Sequence, residues 1–212
     1  GGDLTKERLL GAYRRGIFPW YEVGQPILWW SPDPRLVLFP DELKISRSLR
    51  KVLRKEQFEI RFDTVFQEVI KSCADTRTKQ GEGTWIIPEM QQAYTELHQE
   101  GFAHSVESWL DGKLVGGLYG ISMGQCFFGE SMFSTMNDSS KVALVALADF
   151  SQRVGIKLID CQMTTPHLLS LGAREIKRAV FLNLLKKHLE TPSIKGLWNN
   201  GPVSMRVNLL QN

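Results

Sequence analysis

The dipeptide Asp111-Gly112 stands between two runs of strand-like residues, 103–110 and 113–121, and it constrains the fold more than any other feature of the chain. Both turn residues accept positive φ, which a tight two-residue hairpin requires. A third strand is expected at Cys126–Phe128. Asp138 or Ser139 then offers a cap for a helix carrying Val142, Leu144, Val145, Leu147 and Phe150, which Gly155 ends before a further strand at Ile156–Cys161. An antiparallel meander followed by helix and strand points to a mixed sheet with helices packed on it.

Upstream, strands are expected near Leu36–Phe39 and Phe58–Phe62, with helices from about Val65 to Ala74 and from Pro88 to Gly101. A polar loop ending in Gly81-Glu82-Gly83-Thr84-Trp85-Ile86 joins those two helices. Downstream, Thr165-Pro166 opens a short helix that stops at Gly172, and residues 177–189 form a last amphipathic helix. Residues 1–34 have another texture: a short helix from Thr5 to Gly16, then Ile17-Phe18-Pro19-Trp20 and Ile27-Leu28-Trp29-Trp30-Ser31-Pro32-Asp33-Pro34-Arg35, whose prolines exclude regular helix. The reading is an α/β (α+β) protein, a GCN5-related acyltransferase-like mixed sheet over residues 35–212, with a small aromatic-rich N-terminal lobe over residues 1–34.

The element order alone fits that acyltransferase fold, but no cofactor is expected. Acetyl-CoA users place a glycine-rich turn at the start of the central helix, where backbone N–H groups bind pyrophosphate. Here the equivalent stretch, 134–140, has no glycine and carries Asp138. Cys73, Cys126 and Cys161 form no Cys-x-x-Cys, and the four histidines lack ligand spacing, so no metal is expected. Gly129-Glu130-Ser131-Met132-Phe133 has Phe133 where a serine-hydrolase nucleophile elbow needs glycine. No apolar stretch approaches the roughly 20 residues that span a bilayer. A cytoplasmic protein with a trimmed or incomplete N-terminus is expected.

The formal net charge is +3, and much of the positive charge is local. Lys44, Arg47, Arg50, Lys51, Arg54 and Lys55 fall within one short segment, where Ser46, Arg47, Arg50 and Arg54 stand at helical spacing with Leu49 and Leu53 left to face a core. One reading is a solvated helix face. The other is a phosphate-contacting surface, with Trp20, Trp29, Trp30 and Trp85 on proline- or glycine-flanked loops free to stack on nucleobases.

Chemistry concentrates in Cys126–Ser134 and Leu158–Gln162, where oily segments meet Glu130, Ser131, Asp160 and Gln162. Strand alternation puts Asp160 and Gln162 on one face, with Cα atoms roughly 6.5 Å apart. A carboxylate so placed accepts a hydrogen bond from the Gln162 amide and fixes which end of that amide faces a substrate.

Taken in order, Gly-Gly-Asp-Leu, Tyr-Arg-Arg-Gly-Ile-Phe-Pro-Trp, Ile-Leu-Trp-Trp-Ser-Pro-Asp-Pro-Arg, Gly-Thr-Trp-Ile, Phe-Gly-Glu-Ser-Met-Phe-Ser and Leu-Ile-Asp-Cys-Gln resemble the leucyl/phenylalanyl-tRNA protein transferase family. The resemblance covers essentially the whole chain. It implies an enzyme that moves Leu or Phe from aminoacyl-tRNA to a protein whose first residue is Arg or Lys, creating a degradation signal in the bacterial cytoplasm; because an apolar pocket discriminates weakly, Met is expected as a poorer donor. It further implies no cofactor, no membrane partner and a monomer. By the resemblance, Trp20 and Trp85 fall at positions for the tRNA 3′ adenosine and aminoacyl end, with Tyr13 and Tyr94 near them. Phe127, Met132, Leu118, Leu147 and Ile159 fall at the hydrophobic pocket for the donor side chain. Glu130, Asp160 and Gln162 fall at the polar active-site positions, with Glu130 and Asp160 supplying negative charge for the acceptor and Asp160 orienting Gln162 or binding the acceptor ammonium. Arg47, Arg50, Lys51, Arg54 and Lys55 are read as tRNA-binding. The chain departs from the family in two places: it lacks the segment usually carried before Gly1, and its tail after Trp198 matches nothing in the resemblance.

Overall fold

The computed structural model describes residues 1–79, 84–194 and 196–198, the side chains of 77–79 apart. Gly81–Gly83 of the expected polar loop and the tail beyond Trp198 lie outside the described residues.

In chain order the elements are α1 (Lys6–Tyr13), β1 (Phe18–Pro19), β2 (Trp29–Trp30), β3 (Arg35–Leu38), α2 (Arg47–Arg54), β4 (Glu59–Phe62), α3 (Phe66–Lys79), α4 (Pro88–Gln99), β5 (Ala103–Leu110), β6 (Lys113–Met123), β7 (Cys126–Ser134), α5 (Ser139–Val154), β8 (Leu158–Gln162), α6 (Pro166–Ser170), β9 (Arg174–Ile176) and α7 (Arg178–His188). β1 and β2 form a small antiparallel pair, and the main sheet has the order β4-β5-β6-β7-β8-β3-β9. Every pairing in it is antiparallel except β7 with β8, which is parallel. The sheet is mixed and has helices packed on it, as expected from the element order.

Local chemistry explains much of it. Asp111 and Gly112, at φ 51° and 70°, turn β5 into β6. Ser46 caps α2 by accepting a hydrogen bond from the Leu49 N–H at 3.2 Å, and Leu49 and Leu53, one turn apart, are the buried residues of that helix. α5 is buried on most sides, from Val142 to Ala148, and ends on Gly155 at φ 87°. Asp138 precedes α5 but makes no side-chain cap bond; instead it accepts from Lys141 Nζ at 2.6 Å.

Several boundaries differ from expectation. β7 runs to Ser134 rather than ending at Phe128, because an extra residue is absorbed as a bulge: Tyr119 pairs with Ser131 and Gly120 with Gly129, leaving Glu130 between them. α3 continues past Ala74 to Lys79, and β9 is an added edge strand beside β3. Thr5 precedes α1 without capping it; its hydroxyl donates to Asp3 at 2.7 Å.

The sheet divides the apolar residues into two cores. Tyr13, Tyr94, Trp85, Tyr119, Phe128 and Phe181 belong to the one under α1, α3, α4 and α7. Leu118, Phe127, Leu147 and Ile159 belong to the other, under α2 and α5. Successive residues of β7 alternate between them, Cys126 and Phe128 to the first and Phe127 to the second, as strand geometry requires.

Candidate active site

β7 and β8 stay together over three pairs only, ending at Phe128 with Asp160. Beyond that point β7 follows β6 while β8 follows β3, pairing Leu36 with Gln162. The two strands part there, and the residues at the parting are those that carry the chemistry.

Glu130 lies at the centre. The bulge turns its side chain toward the first core, where it is 7% exposed. Its Oε1 accepts hydrogen bonds from the Tyr13 hydroxyl at 2.7 Å and from Gln162 Nε2 at 2.7 Å, and its Oε2 accepts from the Tyr94 hydroxyl at 3.1 Å. The Tyr13 and Tyr94 hydroxyl oxygens also lie within hydrogen-bond distance of each other, so the two phenol protons are shared among three oxygen contacts. Burial pushes the Glu130 carboxyl up to about 7, against the three donors, which favour its ionised form. Both tyrosines are raised well above the usual phenol range by the same burial and by the neighbouring carboxylate.

Asp160 is occupied differently. Arg35 Nε donates to its Oδ1 at 2.8 Å and Arg35 Nη2 to its Oδ2 at 2.6 Å, and neither residue is exposed. The guanidinium is held over the rings of Phe18 at 4.8 Å and Phe181 at 4.6 Å. Asp160 Oδ1 also accepts the backbone N–H of Gln162 at 3.0 Å.

These contacts correct the expected Asp160 and Gln162 pair. Gln162 has φ 62°, so strand alternation breaks off at that residue. Asp160 fixes the Gln162 backbone, and Glu130 fixes its side-chain amide. Nor is Asp160 a source of negative charge for an acceptor ammonium, since its carboxylate is buried and matched by Arg35. Sequence reasoning misses Arg35, although its place after Ser-Pro-Asp-Pro, at the start of a strand, is unusual for a surface cation.

Trp85 is 9% exposed in the same core as Tyr13 and Tyr94. Trp20 stands apart on the surface at 36% exposure, its ring 6.0 Å from that of Trp30, whose indole N–H donates to the Trp20 carbonyl at 2.7 Å. The apolar set Leu118, Phe127, Leu147 and Ile159 is gathered on the opposite face of the sheet, with the half-buried Met132 packed against it. Leu118 and Met132 are cross-strand partners. The polar network and the apolar group therefore sit on two faces of one sheet, and the parting of β7 from β8 lies between them. Arg47, Lys51, Arg54 and Lys55 are exposed on or beside α2, on the same side as the apolar group, and Arg50 is half-buried.

Burial and the Asp160 charge push the Cys126 thiol up to about 12 and the Cys161 thiol higher still, which leaves both unsuited as nucleophiles. Among the described residues no group of three or more His, Cys, Asp or Glu side chains is placed to hold a metal, and no helix is long and apolar enough to cross a membrane.

The model of the leucyl/phenylalanyl-tRNA protein transferase family matches residues 37–186, and that of the family's N-terminal domain matches residues 2–33. The leucyl/phenylalanyl-tRNA--protein transferase of Aromatoleum aromaticum is 66% identical over 181 residues, covering 85% of this chain and 76% of its own length. That of Nitrosomonas eutropha is 59% identical over 199 residues, covering 94% and 85%. Among solved structures, L-PGS from Bacillus licheniformis is similar at a TM-score of 0.46 and 9% identity, over 76% of this chain and 52% of that one. With matching models along most of its length and relatives more than half identical to it, the chain belongs to the leucyl/phenylalanyl-tRNA protein transferase family.

Proposed function

We propose that the protein moves Leu or Phe, and weakly Met, from aminoacyl-tRNA to the N-terminal Arg or Lys of an acceptor protein. The α-amine nitrogen attacks the ester carbonyl carbon, a peptide bond forms, and the tRNA 3′ oxygen leaves with the proton the amine gives up. A free α-amine has a pKa near 8, so an appreciable fraction is already neutral at cellular pH and positioning contributes more than proton removal.

The observation that carries this reading is the hydrogen bond from Gln162 Nε2 to Glu130 at 2.7 Å. It ties down the N–H end of the amide and aims the carbonyl end away from the carboxylate, where it accepts a hydrogen bond from the incoming amine. Asp160 contributes by holding the Gln162 backbone. Glu130 is the carboxylate left to favour a cationic acceptor, since the Asp160 charge is matched by Arg35. Trp20 and Trp85 take the 3′ adenosine and the aminoacyl end, with Tyr13 and Tyr94 near them. Leu118, Phe127, Met132, Leu147 and Ile159 take the donor side chain, and Arg47, Arg50, Lys51, Arg54 and Lys55 take tRNA phosphates. In this proposal residues 1–34 form a lobe on a catalytic domain of residues 35–212, and the protein acts in the cytoplasm as a monomer that marks proteins for degradation.

The test is incubation with radiolabelled Leu-tRNA and peptides beginning with Arg, Lys or Ala. Label is expected at the N-terminus of the first two alone. Binding of tRNA without transfer would leave only an RNA-binding module, and transfer dependent on acetyl-CoA would indicate a different acyltransferase.

A further inference from the structure

Trp198 closes one end of the apolar group opposite the polar network. It lies beyond residues 37–186, the span matched by the family model, and no part of the function proposed above uses it. Its indole is stacked on His104, with ring centroids 3.8 Å apart and planes within 3°. It also meets Phe150 at 4.6 Å, Phe127 at 5.9 Å and Phe62 at 6.3 Å. The backbone N–H of Trp198 donates to Asp63 Oδ2 at 2.7 Å, the oxygen that also bonds His104 Nδ1 at 2.8 Å. Trp198 is thus pinned at both backbone and ring, and it is only 5% exposed.

The other side of Phe127 is fixed by a missing side chain. A Cβ added at Gly120 would come within 2.6 Å of Phe127 Cε1 and 2.7 Å of its Cζ. The bare backbone at Gly120 lets the Phe127 ring lie across β6 toward β5, where His104 pairs with Gly120 and carries the indole of Trp198. Phe127 is therefore held between the backbone of Gly120 and the ring of Trp198, which is tilted 38° to it. The indole N–H has no hydrogen-bond partner among the described residues, so the ring rather than the donor is what the site uses.

We propose that Trp198 is a positioning residue for donor selection: its indole holds the Phe127 ring and so sets the depth of the cavity that receives the Leu or Phe side chain. This rests on the reading that Phe127 lines that cavity. Without the indole, the Phe127 ring relaxes into the vacated space and the cavity deepens, which favours the larger donor. Hydrophobic pockets discriminate by about 10- to 200-fold per methylene, so a partial relaxation should change the ratio of Phe to Leu transfer by roughly fivefold to tenfold.

The experiment measures kcat and KM for Leu-tRNA and Phe-tRNA with an Arg-initiated peptide, using the full chain and the variants Trp198→Ala, Trp198→Phe and Phe127→Ala. Trp198→Ala is expected to raise the Phe:Leu ratio of kcat/KM mainly through a higher KM for Leu-tRNA. Trp198→Phe should restore the ratio, since it keeps a flat ring and removes the unpartnered N–H. If Trp198→Ala does not give folded protein, Trp198→Leu, which keeps apolar volume without the flat ring, should change the ratio in the same direction. Equal losses for both donors in the Trp198 variants, with a shifted ratio in Phe127→Ala, would overturn the proposal and leave the cavity reading standing. An unchanged ratio in Phe127→Ala would overturn the cavity reading and the proposal with it.

Discussion

Arg35 and Asp160, 125 residues apart in sequence, meet in a two-pronged ion pair at 2.8 and 2.6 Å with no exposure of either residue. Removing one partner from such a pair leaves a buried charge without compensation, which costs about 3–5 kcal/mol. Arg35→Met should lower stability by about that amount in urea unfolding. The double variant Arg35→Met/Asp160→Leu should recover much of the loss, because no lone charge remains. It should not recover transfer, because the Gln162 N–H then has no acceptor. Recovery of activity along with stability would show that Asp160 has no part in placing Gln162.

Glu130 and Gln162 form one hydrogen-bonded unit. Gln162→Ala should lower kcat by about 10² to 10³, the usual cost of removing a transition-state hydrogen bond, while leaving Leu-tRNA affinity unchanged. Adding Glu130→Gln should cost much less than it does alone, since the carboxylate then has no amide to orient. Strictly additive effects on single-turnover rates would separate the two residues.

The raised Glu130 carboxyl makes a pH prediction of unusual sign. Its folded pKa of about 7 lies above the ordinary carboxylate value of 4.5, so the folded chain binds more protons than the unfolded chain between them. Its contribution to stability is fully present below about pH 4.5 and is lost as the pH rises through 7. Urea midpoints of Glu130→Gln and the parent protein, compared from pH 5 to 8, should show the parent losing ground with rising pH. A difference independent of pH would mean that Glu130 titrates normally.

The exposed cations of α2 should act as a salt-sensitive surface. In an Arg47→Ala/Lys51→Ala/Arg54→Ala variant, each phosphate left without its cation should flatten the dependence of log K on log salt by roughly 0.7 to 0.9. Retention of the parent affinity and slope would make α2 a solvated face and nothing more.

Gly120→Ala should be poorly tolerated, because the added methyl meets both the Phe127 ring and the Phe128 carbonyl. A destabilisation of about 1–3 kcal/mol is expected from such overpacking. Thermal unfolding would detect it, and the Phe:Leu donor ratio should shift as well if the ring is displaced.

The features legible in the chain are local: the Asp111-Gly112 turn, the capped basic helix with Leu49 and Leu53 inward, the glycine that ends α5, and the ordered motifs that mark the family. The turn, the cap and the helix end rest on residues within one or two turns of one another, where backbone preference and periodicity act. What the functional side chains touch follows instead from which elements meet. Strand alternation placed Asp160 beside Gln162, but the positive φ of Gln162 and the bulge at Glu130 arise where their strands pair with β3 and β6. Arg35, Tyr13 and Tyr94 reach the site across separations that no local period records, and Trp198 comes back to Phe127 from a distant part of the chain. Buried polar groups must be paired, and the partners that satisfy them are set by the strands and helices that come together in three dimensions.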